Sequence, residues 1–101
     1  MPSRLELHSK LVELLGSSNV YFQPPESIKL NYPAIVYSKN DYKNKFADDN
    51  FYLQSKQYKL TFIDPNPDSD LFEKASKFMK AKFVTRFSNQ GLNHEVYTIY
   101  Y

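Results

Sequence analysis

Three groups of residues have types and spacing that could support chemistry or binding. The first is the pair of histidines, His8 and His94, because histidine is the most frequent general acid or base in enzymes. A catalytic or metal-binding histidine needs converging carboxylates, hydroxyls or thiols, and the chain has no cysteine and no motif that supplies such a set. We therefore expect His8 to be a partly buried core residue. The sequence predicts no enzyme, no catalytic residue and no cofactor.

The second group is an acidic turn that could bind a cation. Asp64, Asn66 and Asp68 match the first, third and fifth positions of an EF-hand calcium loop. However, the sixth position is Ser69 rather than glycine, and the twelfth is Ala75 rather than a glutamate that could bind with both oxygens. Two prolines also lie within the turn. We expect a rigid turn before a helix, and no metal site.

The third group combines lysines with aromatic residues in the middle of the chain. Single-stranded nucleic acid binds to such surfaces, since bases stack on rings between cations. Asp41, Asp48 and Asp49 cancel much of this charge, and the net charge of the chain is only +2. A solvated strand face with aromatic pairs across strands explains the same pattern. The residues concerned are Lys39, Lys43, Lys45, Lys56 and Lys59, with Tyr42, Phe46, Tyr52 and Tyr58.

An amphipathic helix is the first element of the predicted fold. Ser3 and Glu6 form a capping box at its start, and Gly16 can end it with a left-handed backbone. One half of the helical wheel is polar and the other half is apolar except for one histidine. The apolar half contains Leu5, Leu7, His8, Leu11, Val12, Leu14 and Leu15.

Strand patterns and a second helix account for the rest of the chain. A short apolar run at 20–22 precedes strands at 34–37 and 58–63, which we interpret as antiparallel and joined by a projecting hairpin arm over residues 39–57. The second helix follows the acidic turn. Its apolar face consists of Leu71, Phe72, Ala75, Phe78 and Met79. Its last turn is predicted to carry cations up to Lys82, which suits the helix dipole.

Two further strands, at 83–87 and 94–101, complete the order α-β-β-β-α-β-β. This order predicts a single α+β domain over residues 1–101, in which two helices pack on a mainly antiparallel sheet. No apolar run approaches the length of a membrane span, and the first residues do not resemble a signal peptide, so we expect neither.

Aromatic residues are more numerous than one small core needs. The 101 residues include nine tyrosines and eight phenylalanines, and such residues are enriched at protein interfaces. The last strand carries rings on both faces: Tyr97, Ile99 and Tyr101 lie on one face, and Val96, Thr98 and Tyr100 on the other. If helices cover one face, the other is free to meet a partner. Coverage of both faces within one domain is the alternative.

Most of the chain resembles small virion proteins of tailed bacteriophages that infect Gram-positive hosts. The resembling stretches are 19–30 (Asn-Val-Tyr-Phe-Gln-Pro-Pro-Glu-Ser-Ile-Lys-Leu), 32–37 (Tyr-Pro-Ala-Ile-Val-Tyr), 58–70, in which a strand precedes Asp-Pro-x-Pro-Asp-Ser, and 92–101 (Leu-Asn-His-Glu-Val-Tyr-Thr-Ile-Tyr-Tyr). The order α-β-β-β-α-β-β is also similar to that of tail terminator, or tail completion, proteins.

The resemblance implies a structural protein of the virion, located at the head–tail interface and made in the host cytoplasm. Such a protein forms a hexameric ring that caps a non-contractile tail tube and joins it to the head. Its implied partners are copies of itself, the tail tube protein and the head-completion or neck proteins, while genome DNA passes through the lumen without sequence-specific binding. A head-completion protein on the portal side is the first alternative, and a single-stranded nucleic-acid-binding module is the second.

A ring needs two different contact surfaces on each subunit. We predict that the arm forms one of them, with its aromatic residues as anchors and its charges fixing the register. One face of the last strand is expected to contribute as well. The predicted interface residues are Lys39, Tyr42, Lys43, Lys45, Phe46, Asp48, Asp49, Phe51, Tyr52, Tyr97, Ile99 and Tyr101.

Overall fold

The computed structural model describes residues 4–40 and 57–101. Two helices and five strands occur in these ranges, in the predicted order α-β-β-β-α-β-β. The elements are α1 (Arg4–Leu15), β1 (Val20–Phe22), β2 (Ala34–Lys39), β3 (Gln57–Asp64), α2 (Asp70–Ser76), β4 (Lys82–Asn89) and β5 (Leu92–Tyr100).

The five strands form one sheet in the order β1-β2-β3-β5-β4. Strand β1 pairs with β2 in parallel, and the other three pairs are antiparallel. The predicted α+β fold with a mainly antiparallel sheet is therefore confirmed. Among the described strands, β1 and β4 each have one neighbour, so they are the two edges at opposite ends of this sheet.

The core lies between the two helices and one face of the sheet. Leu7 and Leu11, one helical turn apart on α1, are fully buried against a cluster that includes Tyr37, Leu60 and Phe62 from the central strands. The alternation of a strand places their neighbours on the other face. That face carries three buried residues outside the cluster, which are Ala34, Ile63 and Val96.

Helix α1 ends where the sequence predicts, at Gly16. Gly16 has a φ of 81°, and its N–H donates to the Val12 carbonyl at 2.8 Å, as expected for a glycine that ends a helix. The predicted apolar half is too wide, because Leu5 is 66% exposed. Leu7 and Leu11 are fully buried, and Val12, Leu14 and Leu15 are partly buried against the core, so the half is wrong only at its margin on the Leu5 side. Ser3 of the predicted capping box lies outside the described residues.

Helix α2 is shorter than its apolar pattern predicts. Ser69 caps its start by accepting a hydrogen bond from the Leu71 N–H at 3.1 Å, but the helix ends at Ser76. Met79, expected on the buried face, has a φ of 46° and is half exposed. Lys82 begins β4 instead of completing the helix, because it pairs with Thr98 of β5. Sheet pairing therefore overrides local helix propensity here.

Strands β4 and β5 form a hairpin that is longer than predicted at its turn. Gln90 and Gly91 have φ values of 53° and 78°, so they make a two-residue turn of the type that suits twisted antiparallel strands. The pairing consequently extends to Asn89 and Leu92.

The predicted arm falls mostly on residues 41–56, which lie outside the described ranges. Its base is described. The Asn40 N–H donates to the Gln57 carbonyl at 2.8 Å, and the Asn40 Nδ2 donates to the Gln57 Oε1, also at 2.8 Å. We call this pair the Asn40–Gln57 clasp. It joins Asn40, the residue that follows β2, to Gln57, the first residue of β3.

Candidate interaction surface

Strand β4 is a fully exposed edge of the sheet. It pairs only with β5, so the backbone N–H and C=O groups on its outer side have no strand partner among the described residues. All eight of its residues are exposed. An edge of this length can accept a further strand from another chain.

Three large apolar side chains stand on this edge. Phe83, Val84 and Phe87 are each about half exposed, at 50%, 53% and 47%. Phe83 contacts the Tyr97 ring edge-on, with the centroids 5.5 Å apart, and Tyr97 contacts Phe62 in the same way. A row of rings therefore runs from the buried core to the open edge.

The other face of the edge is fixed by a stacked pair. Phe87 lies parallel to the His94 ring, with a centroid distance of 4.5 Å and an interplanar angle of 10°. The His94 Nδ1 also lies 3.2 Å from the Leu92 carbonyl oxygen. These contacts hold the ring of Phe87, a β4 residue, against His94 of β5, while about half of the Phe87 side chain faces solvent. Rigid, half-exposed rings lose little side-chain entropy on binding a partner.

Arg86 is tied to a buried carboxylate beside these rings. The Arg86 Nε donates to Glu95 Oε2 at 3.0 Å, and the Tyr97 hydroxyl donates to Glu95 Oε1 at 3.2 Å. Burial raises the pKa of Tyr97 above its ordinary value of 10.0, and the neighbouring Glu95 carboxylate raises it further. The Arg86 guanidinium lies 5.3 Å from the centre of the Phe83 ring. This network sets the position of Arg86 on the outer strand.

Cations dominate the chain that leads into and through β4. Residues 74–94 contain no aspartate or glutamate. Lys77 pairs with Glu73 at 3.5 Å, but both side chains are largely exposed, so this pair contributes little to stability. Lys80 and Lys82 are exposed as well. The five cations of this range are Lys74, Lys77, Lys80, Lys82 and Arg86.

A cleft of about 210 Å³ opens next to the ion pair, lined in part by Pro67, Phe72 and Asn93. This volume is below the range typical of sites for cofactor-sized ligands. Across residues 4–40 and 57–101, no group of three or more histidine, aspartate or glutamate side chains could hold a metal ion.

The acidic turn uses its side chains for its own backbone. Asp64 Oδ1 accepts from the Asn66 N–H at 2.8 Å, and Asn66 Oδ1 accepts from the Asp68 N–H at 3.0 Å. Asn93 Nδ2 donates to the Asp64 carbonyl at 3.1 Å and fastens the turn to β5. These bonds give the residues that match a calcium loop a structural role.

His8 also has a structural position, near a second titratable group. Its Nδ1 lies 2.8 Å from the Tyr37 hydroxyl, which accepts a hydrogen bond from Arg4 Nη1 at 3.1 Å. Burial raises the pKa of Tyr37, although Arg4 acts in the opposite direction. The Arg4 guanidinium lies 4.3 Å from the centre of the Phe22 ring. This cluster joins α1 to β1 and β2.

The structure separates the predicted interface residues into three groups. Tyr97 and Ile99 are buried in the core beneath the helices, so this face of β5 is not free for a neighbouring subunit. Tyr101 packs against the same core and is half-buried, whereas Lys39 is exposed beside the clasp. Eight residues lie outside the described ranges: Tyr42, Lys43, Lys45, Phe46, Asp48, Asp49, Phe51 and Tyr52.

One aromatic residue of the nucleic-acid surface considered from sequence is not available for binding. Tyr58 is buried in the core, where its ring lies 6.2 Å from that of Tyr37, so it cannot stack on a base. Lys59 is exposed on the neighbouring position of β3. The other rings assigned to that surface, at positions 42, 46 and 52, lie outside the described ranges.

The exposed residues Phe83, Val84 and Phe87 are missing from the interface predicted from sequence. A regular strand pattern does not distinguish an edge strand from a central one, because both use the same residue types. The signal that could have identified them is the presence of five cations and no acidic residue over 74–94, since charged residues are characteristic of exposed sheet edges.

Compared with protein-family models, with curated proteins and with solved structures, the chain has no match. In the part of the chain that the structure describes, neither helix has the length and apolar character needed to cross a membrane.

Proposed function

We propose that the chain is a ring-forming structural subunit at the end of a bacteriophage tail, where it caps the tail tube and joins it to the head. The proposal starts from the resemblance of residues 19–30, 32–37, 58–70 and 92–101 to small phage virion proteins. The α-β-β-β-α-β-β order observed in the structure agrees with the order found in tail terminator proteins. Fold order alone does not determine function, so the proposal also needs a surface that can assemble.

The observation that carries the proposal is the position of the two edge strands of the described sheet. Strand β4 lies at one end of the sheet and β1 at the other, so the subunit has two different edges that point away from each other. A closed ring requires heterologous contacts of this kind, in which one surface meets a different surface of the next copy. The half-exposed Phe83, Val84 and Phe87 supply apolar area at one of these contacts.

In this proposal the ring consists of six subunits around a lumen through which DNA passes. Its lower side binds the tail tube protein, and its upper side binds the head-completion or neck proteins. DNA in the lumen is contacted without sequence readout, so polar residues of weak affinity suffice there. The arm over residues 39–57 is proposed to contribute a subunit interface.

Oligomeric mass and particle shape provide the test. Light scattering of the purified chain should give a mass close to six times the 11.9 kDa of one subunit, and negative-stain images should show closed rings. A chain that stays monomeric over the full concentration range in which tube protein polymerises would contradict the proposal. Pull-down against tube protein and portal protein separates a tail terminator from a head-completion protein, because only the terminator should bind the tube.

A second candidate function is a module that binds single-stranded nucleic acid. The cations of residues 74–94 and the exposed rings of Phe83 and Phe87 favour it, because cationic edges with stacking rings hold single strands. It predicts binding to short oligonucleotides that weakens steeply as salt increases. A tail terminator should bind such oligonucleotides weakly if at all.

A further inference from the structure

The two edge strands of the described sheet run in opposite directions. Strand β1 is parallel to β2, and the steps from β2 to β3, from β3 to β5 and from β5 to β4 are all antiparallel. A rotation about a ring axis that runs along the strands keeps the direction of every strand. The β4 edge of one copy therefore meets the β1 edge of the next copy in the antiparallel sense, which is the slightly more stable pairing.

On β4, the backbone groups of Arg86 and Ser88 point away from β5. The two-residue turn of the β4–β5 hairpin closes with a hydrogen-bonded pair, and such pairs recur at every second residue, so Phe87 also bonds to β5. The residues on either side of Phe87 consequently face outward. Their side chains lie on the face of the sheet that the helices cover, because Arg86 binds Glu95, which lies opposite the core residue Phe62.

On β1, the backbone groups of Val20 and Phe22 point away from β2. The Asn19 carbonyl and the Gln23 N–H both bond to β2, at 3.0 and 2.9 Å, and alternate residues of a strand point the other way. Val20 and Phe22 both pack in the core beneath the helices. On each edge, therefore, the residues with outward backbone groups have their side chains on the helix-covered face, so the two edges can continue one sheet.

We propose that β4 of one copy pairs with β1 of the next copy in the antiparallel sense. Arg86 then lies opposite Phe22 and forms two hydrogen bonds with it. Ser88 lies opposite Val20, and its N–H donates to the Val20 carbonyl. The Val20 N–H is not needed, since it already donates to the Ser18 carbonyl at 2.8 Å. The inference rests on the proposed function, because it names the strands and the register at the contact between ring subunits.

The register follows from the regular part of β4. A shift of two residues in one direction would place Phe22 opposite Val84, where the β4–β5 ladder has its register shift. The same shift in the other direction would move Val20 beyond the end of β4 at Asn89. The proposed register keeps both outward-facing residues of β1 on regular strand.

This register also joins aromatic rings across the contact. Tyr21 alternates with the core-facing residues of β1, so it lies on the face opposite the helices. It is directly opposite Phe87, whose half-exposed ring already stacks on His94 on that face. Aromatic pairs at directly opposite positions stabilise antiparallel strands.

Charge favours the same orientation. Lys80 and Lys82 are exposed at the start of β4, and neither has an ion pair within the part of the chain that the structure describes. The first charged residue after β1 is Glu26, and antiparallel pairing brings the chain that follows β1 to the start of β4. The acidic turn lies at the other end of β4, because its Pro67 lines the same cleft as Ser88. Parallel pairing would bring Glu26 to that acidic end.

Disulfide formation between full-length chains tests the contact, because the chain contains no native cysteine. One preparation carries Tyr21→Cys and the other Phe87→Cys, and the two are mixed and oxidised under mild conditions. The Cα atoms of a non-hydrogen-bonded antiparallel pair are about 4.5 Å apart, which a disulfide can bridge. We expect the mixed dimer to exceed either homodimer at least several-fold. Mixed dimer no more abundant than a homodimer overturns the inference.

The matched control replaces Phe87→Cys with Thr85→Cys. Thr85 is exposed on the same face of the same strand, two residues away, and this variant keeps the Phe87 ring. We expect at least several-fold less mixed dimer with Tyr21→Cys, since diagonal neighbours are about 7–8 Å apart. Equal yields from the two mixtures overturn the proposed register.

A chain with both Tyr21→Cys and Phe87→Cys separates this inference from the proposed function. The two positions lie on opposite edges, four strand spacings or about 19 Å apart, so one chain cannot form the disulfide internally. A covalent ladder that ends at a closed ring supports both proposals. A ladder from open chains supports the contact and contradicts the tail terminator. Closed rings without cross-links keep the proposed function and overturn this contact, and a monomer without cross-links contradicts both.

Proline at position 88 tests the backbone hydrogen bonds. Ser88→Pro removes an N–H that points away from the sheet, which is where an edge strand tolerates proline. Ser88→Ala is the matched control, because it removes the hydroxyl and keeps the N–H. By light scattering against concentration, we expect Ser88→Pro to weaken assembly about tenfold and Ser88→Ala to change it less than about twofold. Equal effects of the two variants overturn the inference.

Hydrogen exchange of the unaltered chain provides a readout that does not depend on folding of the proline variant. The amides of Phe22, Arg86 and Ser88 should exchange at least about tenfold more slowly in the assembled particle than in the dilute subunit. Unchanged exchange at these three amides overturns the inference.

Discussion

Phe83 and Phe87 are four residues apart on β4 but lie on opposite faces of the sheet. Phe83 contacts the Tyr97 ring, and Phe87 stacks on the His94 ring. Residues four apart in a regular strand share one face. The register shift between Phe83 and Thr85 inserts one extra residue and changes the face. Each face of the exposed edge therefore ends in an aromatic ring.

Replacing these two rings should weaken assembly much more than folding. Phe83→Ser and Phe87→Ser each remove a side chain that is about half exposed, so we expect each to cost about 1 kcal/mol of unfolding free energy. Assembly should decrease because the apolar area of the contact is lost. Urea unfolding measures the first effect, and light scattering against concentration measures the second.

The control for this pair is Leu5→Ser, since Leu5 is 66% exposed but lies on α1, away from β4. Its assembly should equal that of the unaltered chain. Equal loss of assembly in all three variants would mean that β4 has no special part in the contact.

Removal of the segment between the clasp residues should produce a folded monomer. Asn40 and Gln57 are already hydrogen bonded, so Asn-Gly in place of residues 41–56 can close β2 and β3 with a two-residue turn. We expect thermal unfolding to remain cooperative and the midpoint to change by only a few degrees. Light scattering should show a single subunit, and intact rings would contradict the proposed part of the arm in assembly.

Two leucines of α1 should respond very differently to truncation, although the helical wheel places both in its apolar half. Leu11 is fully buried beneath the sheet, so Leu11→Ala should cost about 2–5 kcal/mol of unfolding free energy. Leu5→Ala should change it by less than about 0.5 kcal/mol, because the side chain is mostly in solvent. Denaturant unfolding of both variants compares them directly, and similar losses would contradict the position of α1 on the sheet.

High pH should destabilise the fold through Tyr37 and Tyr97. Burial raises the pKa of both phenols above 10.0, so the folded chain holds their protons more tightly than the unfolded chain does. The resulting stability is fully present below pH 10 and decreases as the pH rises from there through the folded-state pKa values. Denaturant unfolding at a series of pH values should show this decrease.

Tyr97→Phe is the matched variant for the pH series. Its unfolding free energy should decrease less between pH 10 and the end of the series than that of the unaltered chain, because one of the two phenols is gone. Ultraviolet absorbance of phenolate should show Tyr37 and Tyr97 ionising above pH 10.0. Equal pH dependence in both chains would contradict the role of Tyr97.

Local sequence patterns were sufficient for the order of the elements and for the end of α1 at Gly16. These features depend on backbone preferences of neighbouring residues, which the sequence contains directly. The early end of α2 was not predictable in this way, because it depends on the pairing of Lys82 with Thr98 across the β4–β5 hairpin.

The candidate surface was harder to predict than the fold. Tyr97 and Phe83 are both aromatic residues on strands, and their sequence surroundings do not show that the helices cover one and leave the other half exposed. That difference comes from the strand order, in which β5 is inserted between β3 and β4. The position of a strand within the sheet depends on contacts between residues far apart in sequence, and the alternation of residue types does not encode it.

The Asn40–Gln57 clasp has a consequence for how such a chain can evolve. Because Asn40 and Gln57, which flank residues 41–56, are hydrogen bonded to each other, the pairing of β2 with β3 is closed by contacts outside that segment. Doubling the length of a flexible loop costs only about 0.6 kcal/mol of closure entropy. Insertions, deletions and substitutions there can accumulate at little cost to folding, so this position can be rebuilt to suit a new neighbour while the rest of the domain stays the same.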